Sequence, residues 1–148
     1  MQPQRVQAVE KYFSAVLEGR FDDIPSLFAP DATWQVGPPS WAAKAPNGGL
    51  LTIPQLVESV KMVGENMLAK AEPNVVHRTI QGEDSLATRI TSRATTKDGS
   101  PFEMDLILFV DFVPKSASIK HIHETADSAY ILEHVKRMTG GGEEAQKA

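Results

Sequence analysis

The opening segment of the chain carries a succession of local signals that constrains the fold more than any other feature. Asp22 is placed to cap a short helix, which Pro30 ends. Alternating residues over Ala32–Val36 then predict a strand. Before them, apolar side chains recur at spacings of three and four and predict the buried face of a longer helix that ends near Gly19; they are Val6, Val9, Phe13, Val16 and Leu17.

The middle and the end of the chain predict a third helix and a sheet. Thr52 and Gln55 have the spacing of a capping box, so we expect a helix from there to about Lys70. A final helix is predicted over 127–138, followed by a disordered tail over 139–148. Strands are predicted between these helices, three of them in an antiparallel meander; they cover 74–81, 86–96, 102–113 and 118–125.

Composition excludes several classes of function. The 148 residues, of which 41% are hydrophobic, suit one domain, which we place at 1–138. The net charge of −4 and the lack of a lysine and arginine cluster argue against nucleic-acid binding. Without cysteine there is neither a disulfide nor a thiolate metal site. No apolar run approaches the ~20 residues of a spanning helix, so we expect a soluble, cytoplasmic protein with no membrane partner.

Two segments resemble a known superfamily. The opening helices with Leu27–Trp34, and the closing segment Ile119–Asp127, are similar to NTF2-like proteins, most closely the ketosteroid-isomerase and SnoaL-like (polyketide cyclase) branches. The resemblance extends to about Met138. It implies an α+β, cystatin-like cone, in which N-terminal helices pack on the concave face of a curved antiparallel sheet. It also implies an apolar pocket where a few polar groups perform acid–base chemistry without a cofactor.

The last predicted strand holds the main candidate for catalysis. By the resemblance, Glu124 matches the carboxylate that polyketide cyclases and limonene-epoxide-hydrolase-like enzymes use. Strand alternation puts Lys120, Ile122 and Glu124 on one face and His121 and His123 on the other. The resemblance favours Glu124 and Ile122 toward the pocket. The two histidines then lie on the outer face, where no third ligand is suggested by spacing, so we predict no metal site.

Two further residues are candidates for catalysis. The resemblance lets His77 face the pocket as a second proton carrier, although a histidine that fills a corner of the core fits equally. Tyr12 matches the tyrosine that polarises the steroid carbonyl in ketosteroid isomerases, and it also fits an ordinary core position. The general-base aspartate of those isomerases falls on Val36 here, and their second acid falls near Leu108. A valine cannot carry a proton, so steroid isomerisation by that route is not expected.

Several residues are candidates for binding a substrate. Asp127 begins the last predicted helix, where it caps the helix or lines the pocket mouth, and Trp41 lies in a loop rich in proline and glycine that is suited to a lid. The candidates for the pocket wall are Trp34, Phe102, Met104, Leu108 and Ile122.

The functional hypothesis is a cofactor-independent SnoaL-like isomerase, cyclase or dehydratase. Its substrate class is a hydrophobic polycyclic polyketide or terpenoid, including meroterpenoids, of natural-product biosynthesis. One alternative is a non-catalytic ligand-binding or dimerisation module. Another is an epoxide-hydrolase-like or scytalone-dehydratase-like lyase, but Ile90 and Ser92 stand where the hydrolase needs charged residues. We also expect a homodimer through the outer sheet face, which carries Ile107 and Phe109.

Overall fold

The computed structural model describes residues 2–37, 43–44, 46–126 and 133. Within them no helix is long and apolar enough to cross a membrane. Trp41, Asp127, the predicted last helix (apart from Glu133) and the predicted tail lie outside the described residues, so these remain predictions. The helices are α1 (Pro3–Glu18) and α2 (Ile53–Asn66), and the strands are β1 (Phe28–Val36), β2 (Leu50–Thr52), β3 (Leu68–Gln81), β4 (Ser85–Thr96), β5 (Pro101–Phe112) and β6 (Ile119–Ala126).

The six strands form one open, curved sheet in the order β2-β1-β6-β5-β4-β3. The antiparallel meander from β3 to β6 is confirmed. The sheet is mixed, however, because β1 pairs in parallel with β6. The edge strand β2 has three residues, too few for any periodicity to reveal it. We call the face against which α1 and α2 pack the inner face and the opposite one the outer face; the α+β prediction is confirmed.

Helix α1 follows its predicted course. It ends at Gly19, whose φ of 71° lies in the left-handed region that favours glycine, and the Gly19 and Arg20 amides donate to the Val16 and Ala15 carbonyls. One expectation about its buried face is wrong. Leu17 is 37% exposed, because it lies five residues after the buried Tyr12 and therefore on the far side of the helix.

The predicted short helix after α1 is replaced by two 3-10 turns, Phe21–Asp23 and Pro25–Leu27. Asp22 lies inside the first turn and caps nothing there. Pro30 does not end a helix: it lies within β1, where the register with β6 is irregular and its missing N–H interrupts no regular ladder.

Helix α2 begins as predicted and ends early. Thr52 Oγ1 accepts from the Gln55 amide at 3.3 Å, and Gln55 Oε1 accepts from the Thr52 amide at 2.9 Å, which confirms the capping box. The helix ends at Asn66 rather than near Lys70, and β3 begins at Leu68. Pairing with the end of β4 outweighs the continued helical pattern there.

A buried arginine ties α1 to the turns of the meander. The Arg5 side chain is 3% exposed and lies over the Phe112 ring, 5.0 Å from its centroid. Its guanidinium donates to the carbonyls of Ser116 at 2.8 Å and Glu83 at 2.6 Å, and to Asp84 Oδ1 at 2.9 Å. Three separate segments therefore depend on one side chain.

Replacing Arg5→Met should lower the free energy of unfolding by about 3 kcal/mol, because it leaves a carboxylate and several carbonyls without their donor. Urea unfolding measures this. Arg20→Met is the matched control, since Arg20 also makes two ion pairs but is 46% exposed, and its unfolding midpoint should not change. Equal midpoints for the native protein and Arg5→Met would contradict the role given to Arg5.

Candidate active site

Glu124 lies on the inner face of β6, between Val36 of β1 and Leu108 of β5. Ile122 shares this face, as the alternation predicts. Lys120 does not, which corrects the prediction for that residue. The register between β5 and β6 shifts beside it, so that Ile119 is buried and Lys120 is exposed.

The Glu124 carboxyl lies beside the buried core of the inner face. The neighbouring register row, which runs from Trp34 through Ile122 to Val110, is buried, with each residue at most 3% exposed. Glu124 itself is half-buried, and so is Met104 farther along the same face. Burial nevertheless has the largest effect on the pKa of Glu124, which it raises. Protein therefore surrounds most of the carboxyl, while the residue as a whole keeps some contact with water.

Trp34 holds one oxygen of this carboxyl. Its indole Nε1 donates to Glu124 Oε2 at 2.9 Å, and this bond lowers the pKa of Glu124, although by less than burial raises it. Among the described residues, neither an ion pair nor a second hydrogen bond involves the carboxyl, so Oε1 is left for another group. The sequence predicts Trp34 as a wall residue only, because nothing local reveals the parallel pairing that brings it to Glu124.

Tyr12 lies beside this pair. Its ring centroid is 5.1 Å from that of Trp34, and burial followed by the charge of Glu124 raises the pKa of Tyr12. No hydrogen bond among the described residues involves the Tyr12 hydroxyl. Every fully buried side-chain oxygen of the described residues has a hydrogen-bond partner. Tyr12 as a whole is buried, with 4% of its surface exposed. Tyr12 and Glu124 are close enough for the charge of Glu124 to raise the pKa of Tyr12.

His77 does not join them, which corrects its predicted orientation. The register of β3 shifts between Val76 and Arg78, and this bulge turns the His77 side chain to the outer face. There His77 Nε2 lies 2.6 Å from Thr91 Oγ1, which in turn donates to Asp105 Oδ1 at 2.5 Å. His77 and Glu124 thus lie on opposite faces of the sheet.

The remaining wall candidates divide into two groups. Leu108 and Ile122, each 1% exposed, are core residues that support Glu124 from beneath. Phe102 and Met104 are half-buried and lie on the inner face beyond the end of the closed core.

The two histidines of β6 lie on the outer face, as predicted. His121 Nδ1 is 2.7 Å from Thr33 Oγ1, and His123 Nε2 donates to the Gly37 carbonyl at 3.1 Å. In the part of the chain that the structure describes, no three histidine, aspartate or glutamate side chains are grouped so that they could hold a metal ion.

The raised pKa of Glu124 makes stability depend on pH in a defined direction. The folded protein binds this proton more tightly than the unfolded chain, so the contribution of the group is fully present below its ordinary pKa of 4.5 and is lost as the pH rises through the folded pKa. Glu124→Gln should remove that loss. Urea unfolding at a series of pH values should show the variant gaining stability relative to the native protein above 4.5 and then levelling off. A difference independent of pH would contradict the buried carboxyl.

The bond from Trp34 should appear as a coupling energy. In a cycle of Trp34→Phe, Glu124→Gln and the double variant, we expect about 1–3 kcal/mol of coupling at neutral pH, because the indole donates to a charged acceptor. The coupling should shrink in acid, where the carboxyl is protonated. Tyr12→Phe with Glu124→Gln provides a reference cycle on a neighbour without such a bond. A Trp34 coupling no larger than this reference would contradict the contact.

No family model and no curated protein matches the sequence. Solved structures do match. BvnE, a pinacolase from Penicillium brevicompactum, has a TM-score of 0.76 at 17% identity, over 94% of this chain and 96% of that chain. IdmH from Streptomyces antibioticus, a proposed polyketide cyclase, has a TM-score of 0.70 at 20% identity, over 89% and 98%.

A third similar structure is an NTF2-like protein of unknown function from Burkholderia pseudomallei, with a TM-score of 0.71 at 16% identity, over 90% of this chain and 97% of that chain. These likenesses agree with the resemblance of Leu27–Trp34 and Ile119–Asp127. The chain has the NTF2-like fold that these solved structures share.

Proposed function

We propose that this chain is a cofactor-independent acid–base enzyme that isomerises, cyclises or dehydrates a hydrophobic polycyclic polyketide or terpenoid. The observation that carries the proposal is Glu124, a carboxyl with a raised pKa beside the closed core, held through one oxygen. Two neighbouring rows of paired residues cross the sheet here, the row that contains Glu124 and the buried row that contains Trp34. Among the described residues of these two rows, Glu124 is the one ionisable side chain. Burying such a group is costly, so a structural role alone explains it poorly.

The geometry suits proton transfer next to a carbonyl group. Glu124 Oε1 removes a proton from the carbon beside the carbonyl, the C–H electron pair moves into a new C=C bond, and the carbonyl oxygen takes the negative charge. Return of the proton to another carbon of the conjugated system completes an isomerisation and restores the carboxylate. The raised pKa favours this cycle, because it brings the pKa of the carboxyl closer to neutral pH.

Tyr12 is suited to stabilising the charged oxygen. Its raised pKa keeps the hydroxyl protonated, so it serves as a donor and not as a base. Its ring packs on Trp34, whose indole orients Glu124, so donor and base are held by one aromatic contact. Preorganised donors of this kind act without reorganisation when the charge develops.

The proposed substrate class rests on the apolar side chains of the inner face near Glu124 and on the similar structures. Met104 and Phe102 are half-buried apolar side chains on the inner face beyond Glu124. A mostly apolar lining with few polar groups fits a hydrophobic polycycle. The names pinacolase and polyketide cyclase for proteins of this fold support the assignment to natural-product chemistry.

A non-catalytic ligand-binding module is the second candidate, favoured by the scarcity of ionisable groups on the inner face. An epoxide-hydrolase-like site is not supported, since Arg89 and Arg93 lie on the outer face and pair there with Asp105 and Glu72. A scytalone-dehydratase-like site would need the histidine that the bulge in β3 turns outward.

Glu124→Gln should lower kcat by about 10²- to 10⁴-fold and leave substrate binding largely intact, because the amide keeps the shape of the carboxyl but cannot accept and return a proton. A thermal-shift panel of steroids, aromatic polyketides and meroterpenoids identifies the ligand, since binding at 100 times Kd adds about 2.7 kcal/mol of stability. Turnover of that ligand is then followed by mass spectrometry.

Glu58→Gln on the exposed face of α2 is the matched control and should keep full turnover. Full turnover by Glu124→Gln would contradict the enzyme. Ligand binding by both proteins with no turnover in the native protein would favour the ligand-binding module instead.

A further inference from the structure

The chain enters β2 through a turn whose backbone is left-handed. The φ angles of Asn47, Gly48 and Gly49 are 53°, 63° and 74°. Glycine adopts such angles without strain, and asparagine tolerates them better than most other residues. Both Asn47 and Gly48 are exposed. The turn therefore presents an asparagine–glycine peptide to water.

This peptide carries the groups for a reaction with itself. The backbone nitrogen of Gly48 attacks Cγ of the Asn47 side-chain amide: a new N–Cγ bond forms, the nitrogen loses its proton, and the Cγ–Nδ2 bond breaks as ammonia leaves. Water then opens the cyclic imide at either of its carbonyls. One opening gives aspartate. The other gives isoaspartate, in which the main chain runs through the side chain and is longer by one atom.

The other asparagines of the chain are poorer sites for this reaction. The sequence has three asparagines, of which Asn66 precedes a methionine and Asn74 precedes a β-branched valine. A side chain on the residue that supplies the attacking nitrogen crowds its approach, whereas glycine lacks a Cβ. Asn66 and Asn47 are both exposed, so access of water does not distinguish them. We expect the reaction to be fastest at Asn47.

A hydrogen bond from β1 restrains the turn. Gln35 Nε2 donates to the Gly48 carbonyl at 2.7 Å. The ψ angle of Asn47 is 29°, at which the Asn47 side chain and the Gly48 nitrogen point to opposite sides of the Cα–C bond. The imide ring closes only after the peptide rotates about this bond. The contact with Gln35 holds Gly48 in place and so opposes that rotation.

We propose that Asn47–Gly48 is a site of spontaneous modification, where asparagine is converted to isoaspartate and aspartate, and that Gln35 sets the rate by keeping the turn closed. Opening of the turn is a local fluctuation, because the hydrogen bond that closes it is exposed to water. Water is the only reagent that the reaction consumes. The inference is independent of the proposed activity, since none of these residues belongs to the candidate active site.

The modification has a structural consequence for β2. This strand has three residues and is held by pairing with β1, in which Leu50 pairs with Gln35 and Thr52 pairs with Thr33. Thr52 also caps α2. An extra main-chain atom in the turn before so short a strand displaces it along β1, whereas aspartate keeps an ordinary main chain. Isoaspartate therefore destabilises the protein more than aspartate does.

Ageing of the native protein at mildly alkaline pH tests the site. Peptide mapping by mass spectrometry measures the fraction of each asparagine that has become acidic, and conversion at Asn47 should be faster than at Asn66 and Asn74. Asn47→Gly keeps the left-handed turn and should abolish the new acidic form at this position. Equal rates at the three asparagines would overturn the proposal.

The restraint by Gln35 is tested by the rate in Gln35→Ala. Conversion at Asn47 should become roughly two- to tenfold faster, which is the effect of losing one hydrogen bond on an opening equilibrium. Gln7→Ala is the matched control, since Gln7 is exposed on α1, and it should age at the native rate. Far-ultraviolet circular dichroism establishes that both variants fold. A native rate in Gln35→Ala would show that Gln35 does not restrain the turn.

Urea unfolding tests the consequence for β2. Anion exchange isolates the aged protein, and peptide mapping establishes its isoaspartate content. Its unfolding midpoint should lie below that of Asn47→Asp, which carries the same charge on an ordinary main chain. Equal midpoints for the two proteins would overturn the displacement of β2.

Discussion

The hydrogen bond from Trp34 Nε1 to Glu124 Oε2 is the contact on which the rest of the candidate site depends. It exists because β1 runs parallel to β6, which brings two residues 90 positions apart onto adjacent rows of one sheet face. The same indole supports the Tyr12 ring from α1. The fold itself therefore assembles the candidate site, because the first helix, the first strand and the last described strand come together around the Glu124 carboxyl.

The sequence predicted correctly those features that depend only on neighbouring residues. The left-handed end of α1 at Gly19 and the Thr52–Gln55 capping box depend on neighbouring residues alone. Alternation placed Glu124 and Ile122 on one face because it holds from His121 onward, and the resemblance indicated that this face is the inner one. The faces predicted for His77 and Lys120 were wrong for the same reason. A bulge at each position inserts one residue into the strand, and this inverts the alternation of inner and outer side chains on one side of the bulge. Neither bulge has a compositional signature, and neither does the parallel register that brings Trp34 to Glu124.

Strand β5 carries two different kinds of chemistry on its two faces. Leu108 is 1% exposed beneath the candidate site, and Phe109, the next residue, is 52% exposed on the outer face. The outer side of β5 is mixed, because Asp105 and Asp111 flank its two apolar residues. The inner side is apolar apart from the carboxyl that β6 places beside it.

The central claim is that burial raises the pKa of Glu124 and so prepares it to exchange a proton. Carbon-13 NMR titration of the glutamate carboxyl signals tests this most directly, with the Glu124 signal identified by its loss in Glu124→Gln. The account predicts a midpoint above the ordinary 4.5 for this signal. A Glu124 midpoint at or below 4.5 would contradict the account, because the carboxyl would then be either solvated or paired with a cation.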